Sequence, residues 1–143
     1  MKILLRFAAF VLAFFAPALV RADVQTPAAN AISSSTAPKL AGDFSGTWRN
    51  DTDGGKLRLS LKQNGATWTA EASFTFQETE IPTKVTSLKV DGAKIELVLA
   101  WTIQESPGQS SMIGELFGAK IEGTYESEMP EGKSSGTWTV TRK

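Results

Sequence analysis

Cysteine and histidine are both absent from the 143 residues. Without cysteine there are no disulfides, so the chain must fold on its core alone. The same two absences exclude Ser-His-Asp and Cys-His catalysis, zinc sites built from His or Cys, and His-ligated haem. Carboxylate- or lysine-based catalysis stays formally open, but no motif supports it. We therefore expect a protein that is not an enzyme and has no cofactor and no metal site.

Long apolar runs are scarce as well, and the clearest lies at the N-terminus, MKILLRFAAFVLAFFAPALVRA. Its apolar part, residues 7–16, is too short to span a bilayer comfortably, and Pro17 then breaks the helix. Small residues before Ala22 suit a signal peptidase. We predict a signal peptide over residues 1–22, export to the periplasm or the medium, and no stable membrane insertion after cleavage. A single membrane anchor is the alternative.

Basic clusters are missing too. Lys2, Arg6 and Arg21 would leave with the signal peptide, so 12 basic side chains would face 15 acidic ones. Phosphate neutralisation needs concentrated Lys and Arg, which makes nucleic acid an unsuitable partner.

Residues 23–42, DVQTPAANAISSSTAPKLAG, are rich in Ala, Ser, Thr and Pro and poor in bulky apolar side chains. Such a stretch cannot bury enough surface to offset its ordering entropy. We predict a flexible leader, with a partner-binding arm as the alternative.

From Phe44 onward, apolar side chains recur at every second position, the period of a half-buried β-strand. The dipeptides Asn64-Gly65 and Asp91-Gly92 suit tight type I′ hairpins. The pattern predicts eight strands: 44–50, 56–62, 67–76, 83–90, 94–104, 111–117, 119–127 and 134–142.

Eight short strands with hairpin-length connections favour an antiparallel meander. Closing the meander removes both exposed edges. We therefore predict an all-β fold over residues 43–143, an eight-stranded up-and-down barrel preceded by the signal peptide and the leader. A β-sandwich is the alternative, although it usually needs longer crossover loops.

A Gly-x-Trp triplet occurs in both the first and the last strand, as FSGTWRN and SSGTWTVTR. Glycine beside an indole gives the ring room and lets the strand bend. In a closed meander the first and last strands are neighbours, so we predict that the triplets form the seam of the barrel. Arg142 would then lie on the face of Trp48. The residues assigned to barrel closure are Gly46, Trp48, Gly136, Trp138 and Arg142.

The Gly-x-Trp of the first strand and the arginine near the end of the last resemble the calycins, which include lipocalins, fatty-acid-binding proteins and avidins. In that superfamily the tryptophan closes one end of the barrel and the arginine packs over it. Trp48 and Arg142 stand at the matching positions. The resemblance implies a small exported binding barrel.

GTWRND also resembles the first strand of avidins, in which an asparagine two residues after the tryptophan contacts the ureido oxygen of biotin. Asn50 stands at that position. The sequence departs from the avidin pattern elsewhere, because Gly54 and Trp138 stand where a ligand-binding serine and aspartate are expected.

The Ser-rich leader before a barrel, SSSTAPKLAGDFSGTW, is similar to bacterial metalloprotease inhibitors of the periplasm. Those proteins insert an N-terminal arm into a protease active site. This similarity implies a second possible role, a protein-binding module, although the disulfide of those inhibitors is missing here.

Polar stretches between the strands have simpler interpretations than catalysis. The run from Asn50 to Gly55 begins like a calcium loop, but Lys62 stands at the twelfth position of the loop counted with Asp51 as the first, so a polar hairpin is favoured. The carboxylates of 78–80 and 126–131 lie among Thr, Ser, Pro and Gly and are interpreted as solvated loop charges.

Bulky inward side chains either line a cavity or fill the barrel, and both interpretations stay open. Any cavity is expected to be small, apolar and open at the end away from Trp48. We expect the protein to bind a small apolar ligand or, alternatively, a protein partner. The candidate cavity residues are Asn50, Leu59, Leu61, Trp68, Phe74, Phe76, Leu97, Leu99, Trp101, Ile103 and Tyr125.

Overall fold

The computed structural model describes residues 39–143. The predicted signal peptide lies outside this range. So do residues 23–38 of the predicted leader, and with them most of the arm to which the protein-binding role was assigned. No helix among the described residues is long and apolar enough to cross a membrane.

Eight strands account for nearly all of the described chain. They are β1 (Gly42–Arg49), β2 (Gly54–Asn64), β3 (Thr67–Phe76), β4 (Thr79–Asp91), β5 (Lys94–Ile103), β6 (Ser106–Phe117), β7 (Lys120–Met129) and β8 (Gly132–Arg142).

The strands form one antiparallel sheet in chain order, which closes into a barrel where β1 pairs with β8. The predicted all-β, eight-stranded up-and-down barrel is therefore confirmed. At the seam Trp48 lies opposite Trp138, and Gly46 lies opposite Val140. The two Gly-x-Trp triplets are thus the edges of one sheet, as predicted, and not a duplicated site.

Six of the eight strand starts differ from the prediction, four of them by one or two residues and two by more. The strand predicted from residue 83 begins at Thr79, and the one predicted from residue 111 begins at Ser106. Pro107 and Gly108 were interpreted as a loop, yet they pair with Thr102 and Trp101 in the β5–β6 ladder. A register shift between Val85 and Ser87 of β4 was not foreseen either.

The turns also differ from the predicted type. At one end of the barrel the connections are Gly65-Ala66, Gly92-Ala93 and Gly118-Ala119, in which only the glycine has positive φ. Positive φ at the first central residue alone is the type II′ pattern, so the predicted type I′ is wrong here. Asn64 and Asp91 are the last residues of their strands.

The half of the barrel next to these Gly-Ala turns is filled with side chains. Leu40 packs beneath it, three residues before the predicted start of the domain, and is 1% exposed. This half is called the closed end. The fully buried side chains of the barrel are Leu40, Phe44, Leu61, Ile95, Leu97, Leu99, Ile121, Trp138 and Val140.

Arg142 seals the closed end, but not on the tryptophan expected. Its guanidinium lies over the ring of Phe44, 4.7 Å from the centroid. It also donates to the carbonyl of Ala41 at 2.6 Å and to that of Lys39. The predicted contact with Trp48 is wrong because the register that opposes Trp48 and Trp138 places Arg142 opposite Phe44.

The glycines that make room for indole rings are also different from those predicted. A side chain at Gly114 would collide with the ring of Trp138, one at Gly108 with Trp101, and one at Gly55 with Trp48. The indoles of Trp48 and Trp138 therefore lie over glycines of other strands and not over the glycines of their own triplets.

Candidate functional site

The opposite half of the barrel contains a cavity of about 580 Å³ that opens to solvent between the strand connections. This end is called the mouth, and its connections are residues 50–53, 77–78, 104–105 and 130–131. Side chains from the inward faces of the strands form the walls. The lining residues are Trp48, Asn50, Thr52, Asp53, Leu57, Phe74, Phe76, Leu99, Trp101, Ile103, Gln104, Ser106, Ser110, Met112, Tyr125, Ser127, Met129, Glu131, Lys133 and Ser134.

Four aromatic rings form a continuous part of the wall. Tyr125 packs edge-on against Trp48 with centroids 6.0 Å apart, and Trp48 packs in the same way against Phe74, also at 6.0 Å. Phe74 then meets Trp101 at 5.7 Å. Neighbouring planes are nearly perpendicular, so the wall offers ring faces as well as ring edges. The set Tyr125, Trp48, Phe74 and Trp101 is called the aromatic wall.

A short chain of hydrogen bonds lies within the cavity. The Trp101 Nε1–H donates to Ser110 Oγ at 2.9 Å, and Ser110 Oγ lies 2.7 Å from Ser127 Oγ. Both serines are buried. One of the two hydroxyl protons makes the Ser–Ser bond, which leaves the other available to an acceptor in the cavity.

Tyr125 brings a second hydroxyl into the cavity. The residue is 7% exposed, and its hydroxyl has no hydrogen-bond partner among residues 39–143. Burial raises the pKa of the phenol above its ordinary value of 10.0, and the nearby Ser134 and Asn50 side chains oppose this shift in part. A neutral phenol can both donate and accept, so this group is able to bind a polar ligand atom.

Asn50 has a structural role at the mouth. Its Oδ1 accepts from the backbone N–H of Thr52 at 2.9 Å and of Asp53 at 2.6 Å, which closes the β1–β2 connection. Its Nδ2 donates to Ser134 Oγ of β8 at 3.0 Å. The resemblance to avidins implied that this side chain contacts a ligand. In the structure it links the β1–β2 connection to β8 at the seam.

The candidate cavity residues predicted from the sequence fall into two groups, one in or beside the closed half of the barrel and one around the cavity. Leu59, Leu61 and Leu97 are buried in the closed half, and the half-buried Trp68 stands beside the closed-end turn of β2 and β3, so none of the four lines the cavity. The candidates that do line it are Asn50, Phe74, Phe76, Leu99, Trp101, Ile103 and Tyr125.

Trp48 lines the cavity, so the expectation that a cavity would open away from it is wrong. Its indole N–H donates to the carbonyl of Thr75 at 3.0 Å, which holds the ring across β1 and β3. Gly136 and Trp138 do not line the cavity, and Trp138 donates to the Thr124 carbonyl deeper in the barrel.

Sequence reasoning missed the polar lining. Ser110 was interpreted as part of a loop because Pro107-Gly108 precedes it. It was therefore not expected to point into the barrel on the same face of the strand as Met112. Ser127 and Ser134 share the inward phase of Tyr125 and Trp138 in their strands. Small polar residues at strand positions that otherwise carry inward-facing apolar side chains were the signal that could have located this site.

A larger depression of about 960 Å³ lies outside the barrel beside the β1–β2 connection. Exposed residues such as Asp51, Gly54 and Lys56 line it. Because buried side chains surround the barrel cavity and not this depression, the cavity is the stronger candidate site.

The eight-stranded barrel is compatible with a calycin-like fold. In comparisons with known proteins, no family model, no curated protein and no solved structure matches this chain.

Proposed function

We propose that this protein is an exported, non-enzymatic binding barrel that takes a small, largely apolar molecule into its open half. The observation that supports this most directly is the open cavity of about 580 Å³ with its aromatic wall, and the buried Tyr125 hydroxyl beside it has no partner among the described residues. An unpartnered buried polar group costs about 1–3 kcal/mol, and a ligand that bonded to it would recover that cost.

The two halves of the barrel support the same role. The closed half is packed and sealed by Arg142, while the open half keeps about 580 Å³ lined by aromatic and aliphatic side chains with a few hydroxyls. Ligand sites typically combine apolar walls with a small number of placed polar groups. The ligand class is therefore an apolar body with at least one hydrogen-bonding atom.

The proposal is tested with Nile red, a neutral dye that fluoresces in apolar surroundings. Ser134 lines the mouth, whereas Ser135 is the next residue and faces outward. We expect Ser134→Trp to weaken dye binding by about tenfold or more, equivalent to about 1.4 kcal/mol. Ser135→Trp is the matched control and should bind as the original protein does.

Equal dye binding by the two tryptophan variants would place the dye outside the barrel and contradict the proposal. A failure of the unaltered protein to bind the dye would contradict it too, if mass spectrometry of protein purified from its native compartment also finds no bound small molecule. Circular dichroism and thermal unfolding check that both variants keep the fold.

A further inference from the structure

The connections at the two ends of the barrel differ in charge. Each of the four mouth connections carries at least one carboxylate, and none carries Lys or Arg. The three closed-end connections are all Gly-Ala and carry no charge. A ring of one sign around a cleft concentrates ligands of the opposite sign. The mouth carboxylates are Asp51, Asp53, Glu78, Glu105 and Glu131. Asp53 and Glu131 line the cavity itself, whereas Asp51 and Glu78 line the depression outside the barrel.

Among residues 39–143, no free cation lines the cavity below the mouth to pair with an anionic ligand. Lys133 is the one basic residue in its lining, and its ammonium group is bonded to Glu128. This contact raises the pKa of Lys133 and lowers that of Glu128. The deeper polar groups, on Ser110 and Ser127, and the Tyr125 hydroxyl nearer the mouth are all neutral. A carboxylate would enter the cavity against the mouth charge and lose its hydration without an ionic partner.

The aromatic wall favours the opposite charge. The face of an aromatic ring carries negative potential, and a cation over it gains about 0.5–2 kcal/mol, more when water is excluded. Trp48 and Tyr125 stand side by side in the wall, and the Tyr125 hydroxyl lies by Asn50 and Ser134 at the mouth. An ammonium group there would lie between the aromatic wall and the Asp53 and Glu131 side chains that line the same cavity.

The unpartnered Tyr125 oxygen is an independent indication of a ligand at this place. It is buried, it belongs to the cavity, and as a neutral phenol it has lone pairs that can accept from a protonated ammonium group. Apolar residues such as Leu57, Leu99 and Met112 surround the space beneath it. The site thus joins a cation-favouring mouth to an apolar interior.

We propose that the barrel selects an organic cation, an alkylated ammonium group on an apolar body, over anions of the same size. This inference rests on the proposed binding function and names the ligand class for the same cavity. It excludes fatty acids and similar carboxylates as the preferred ligands.

Three single-ring probes of similar size test the inference by calorimetry at low ionic strength. Acetophenone is neutral, benzyldimethylammonium is a cation that keeps one N–H, and benzoate is an anion. We expect the cation to bind about tenfold or more tightly than benzoate, with acetophenone between them. Because exposed charges are screened by salt, the ratio of the cation's affinity to that of benzoate should fall as sodium chloride is added.

Two triple variants with equal change in net charge distinguish the effect of the mouth carboxylates from the effect of charge elsewhere in the molecule. The mouth variant carries Asp53→Asn, Glu105→Gln and Glu131→Gln. The control variant carries Asp91→Asn, Glu96→Gln and Glu115→Gln in the closed half. We expect the mouth variant to reduce the cation-to-anion ratio about threefold or more, and the control to leave it nearly unchanged.

The outcomes distinguish the inference from the function beneath it. If acetophenone binds but benzoate binds as tightly as the cation, the cavity binds ligands and the charge selection is wrong. Equal loss of selectivity in both triple variants would also contradict it, since the mouth would then have no special part. If none of the three probes binds while Nile red does, the inference is wrong and the binding function stands; if Nile red and mass spectrometry also show no ligand, both fail.

Discussion

Trp48 and Trp138 lie opposite each other across the seam, yet their surroundings differ. Trp138 is 1% exposed and packs over Gly114 in the closed half, whereas Trp48 is half-buried and lines the cavity. Truncating a fully buried side chain leaves a sealed void, while truncating one in a cavity wall enlarges a space already open to water. The two tryptophans should therefore differ in their effect on stability.

We predict that Trp138→Ala lowers the free energy of unfolding by about 3–5 kcal/mol. Trp48→Ala should lower it by roughly 1–3 kcal/mol and should weaken ligand binding, because the aromatic wall loses its central ring. Urea unfolding followed by circular dichroism measures both. A larger loss for Trp48→Ala than for Trp138→Ala would show that the half with the cavity, and not the closed half, contains the stabilising core.

The same residues show what the sequence could and could not predict at this scale. Period two placed Trp48 and Trp138 correctly on the inward face of neighbouring strands. It could not place Arg142, because an antiparallel pairing that opposes the two tryptophans moves Arg142 four residues away, to Phe44. The register between β1 and β8 depends on how the whole barrel closes and cannot be predicted from the sequence of one strand.

The turns carry the clearest difference between elements. At the mouth, Gln77-Glu78 and Gln104-Glu105 have positive φ at both residues. That conformation is common for glycine and costs other residues of order 1 kcal/mol each. The closed-end turns instead place glycine at the positive position. Strain is thus concentrated at the end that contains the cavity.

We predict that Glu78→Gly raises the free energy of unfolding by about 1 kcal/mol, because glycine relieves the strain at φ 65°. Gly92→Ala, at φ 59° in a closed-end turn, should lower it by a similar amount. Differential scanning calorimetry of the two variants gives the sign of each change. A destabilised Glu78→Gly would mean that the turn side chain contributes contacts that outweigh its backbone strain.

Strand boundaries were predictable where apolar residues alternate without interruption, to the residue in β3 and to within two residues in β2. The start of β6 was not, because Pro and Gly usually mark turns. Pro107 pairs with Thr102, and Gly108 receives the Trp101 ring in the space a side chain would fill. The cavity was hidden for the same reason, since Ser110 follows directly within this misassigned segment.

Closure of the whole barrel depends on close approach between β1 and β8. A side chain at Gly46 would press against the Thr139 carbonyl and come within 2.7 Å of the Val140 Cα. Both contacts are with backbone, which cannot rotate away. The seven other strand pairs join neighbours in sequence, so this seam is the one long-range pairing in the described sheet.

We predict that Gly46→Ala lowers the free energy of unfolding by about 1–3 kcal/mol and promotes aggregation, because separated strands expose two pairing edges. Gly54→Ala is the control, since the nearest atom to its new methyl group would be 3.1 Å away, at the Trp48 carbonyl. Chemical unfolding and light scattering measure the two effects. Equal stability of the two variants would show that the seam tolerates separation.

Both ends of the described chain lie at the closed end. Arg142 fixes the carbonyls of Lys39 and Ala41 there, and the Lys143 N–H donates to the Asp43 carbonyl at 3.0 Å. Attachment to a solid support or to a fusion partner at either of these points would therefore leave the mouth facing solution. The barrel can therefore be immobilised through its closed end while the mouth stays accessible to ligands.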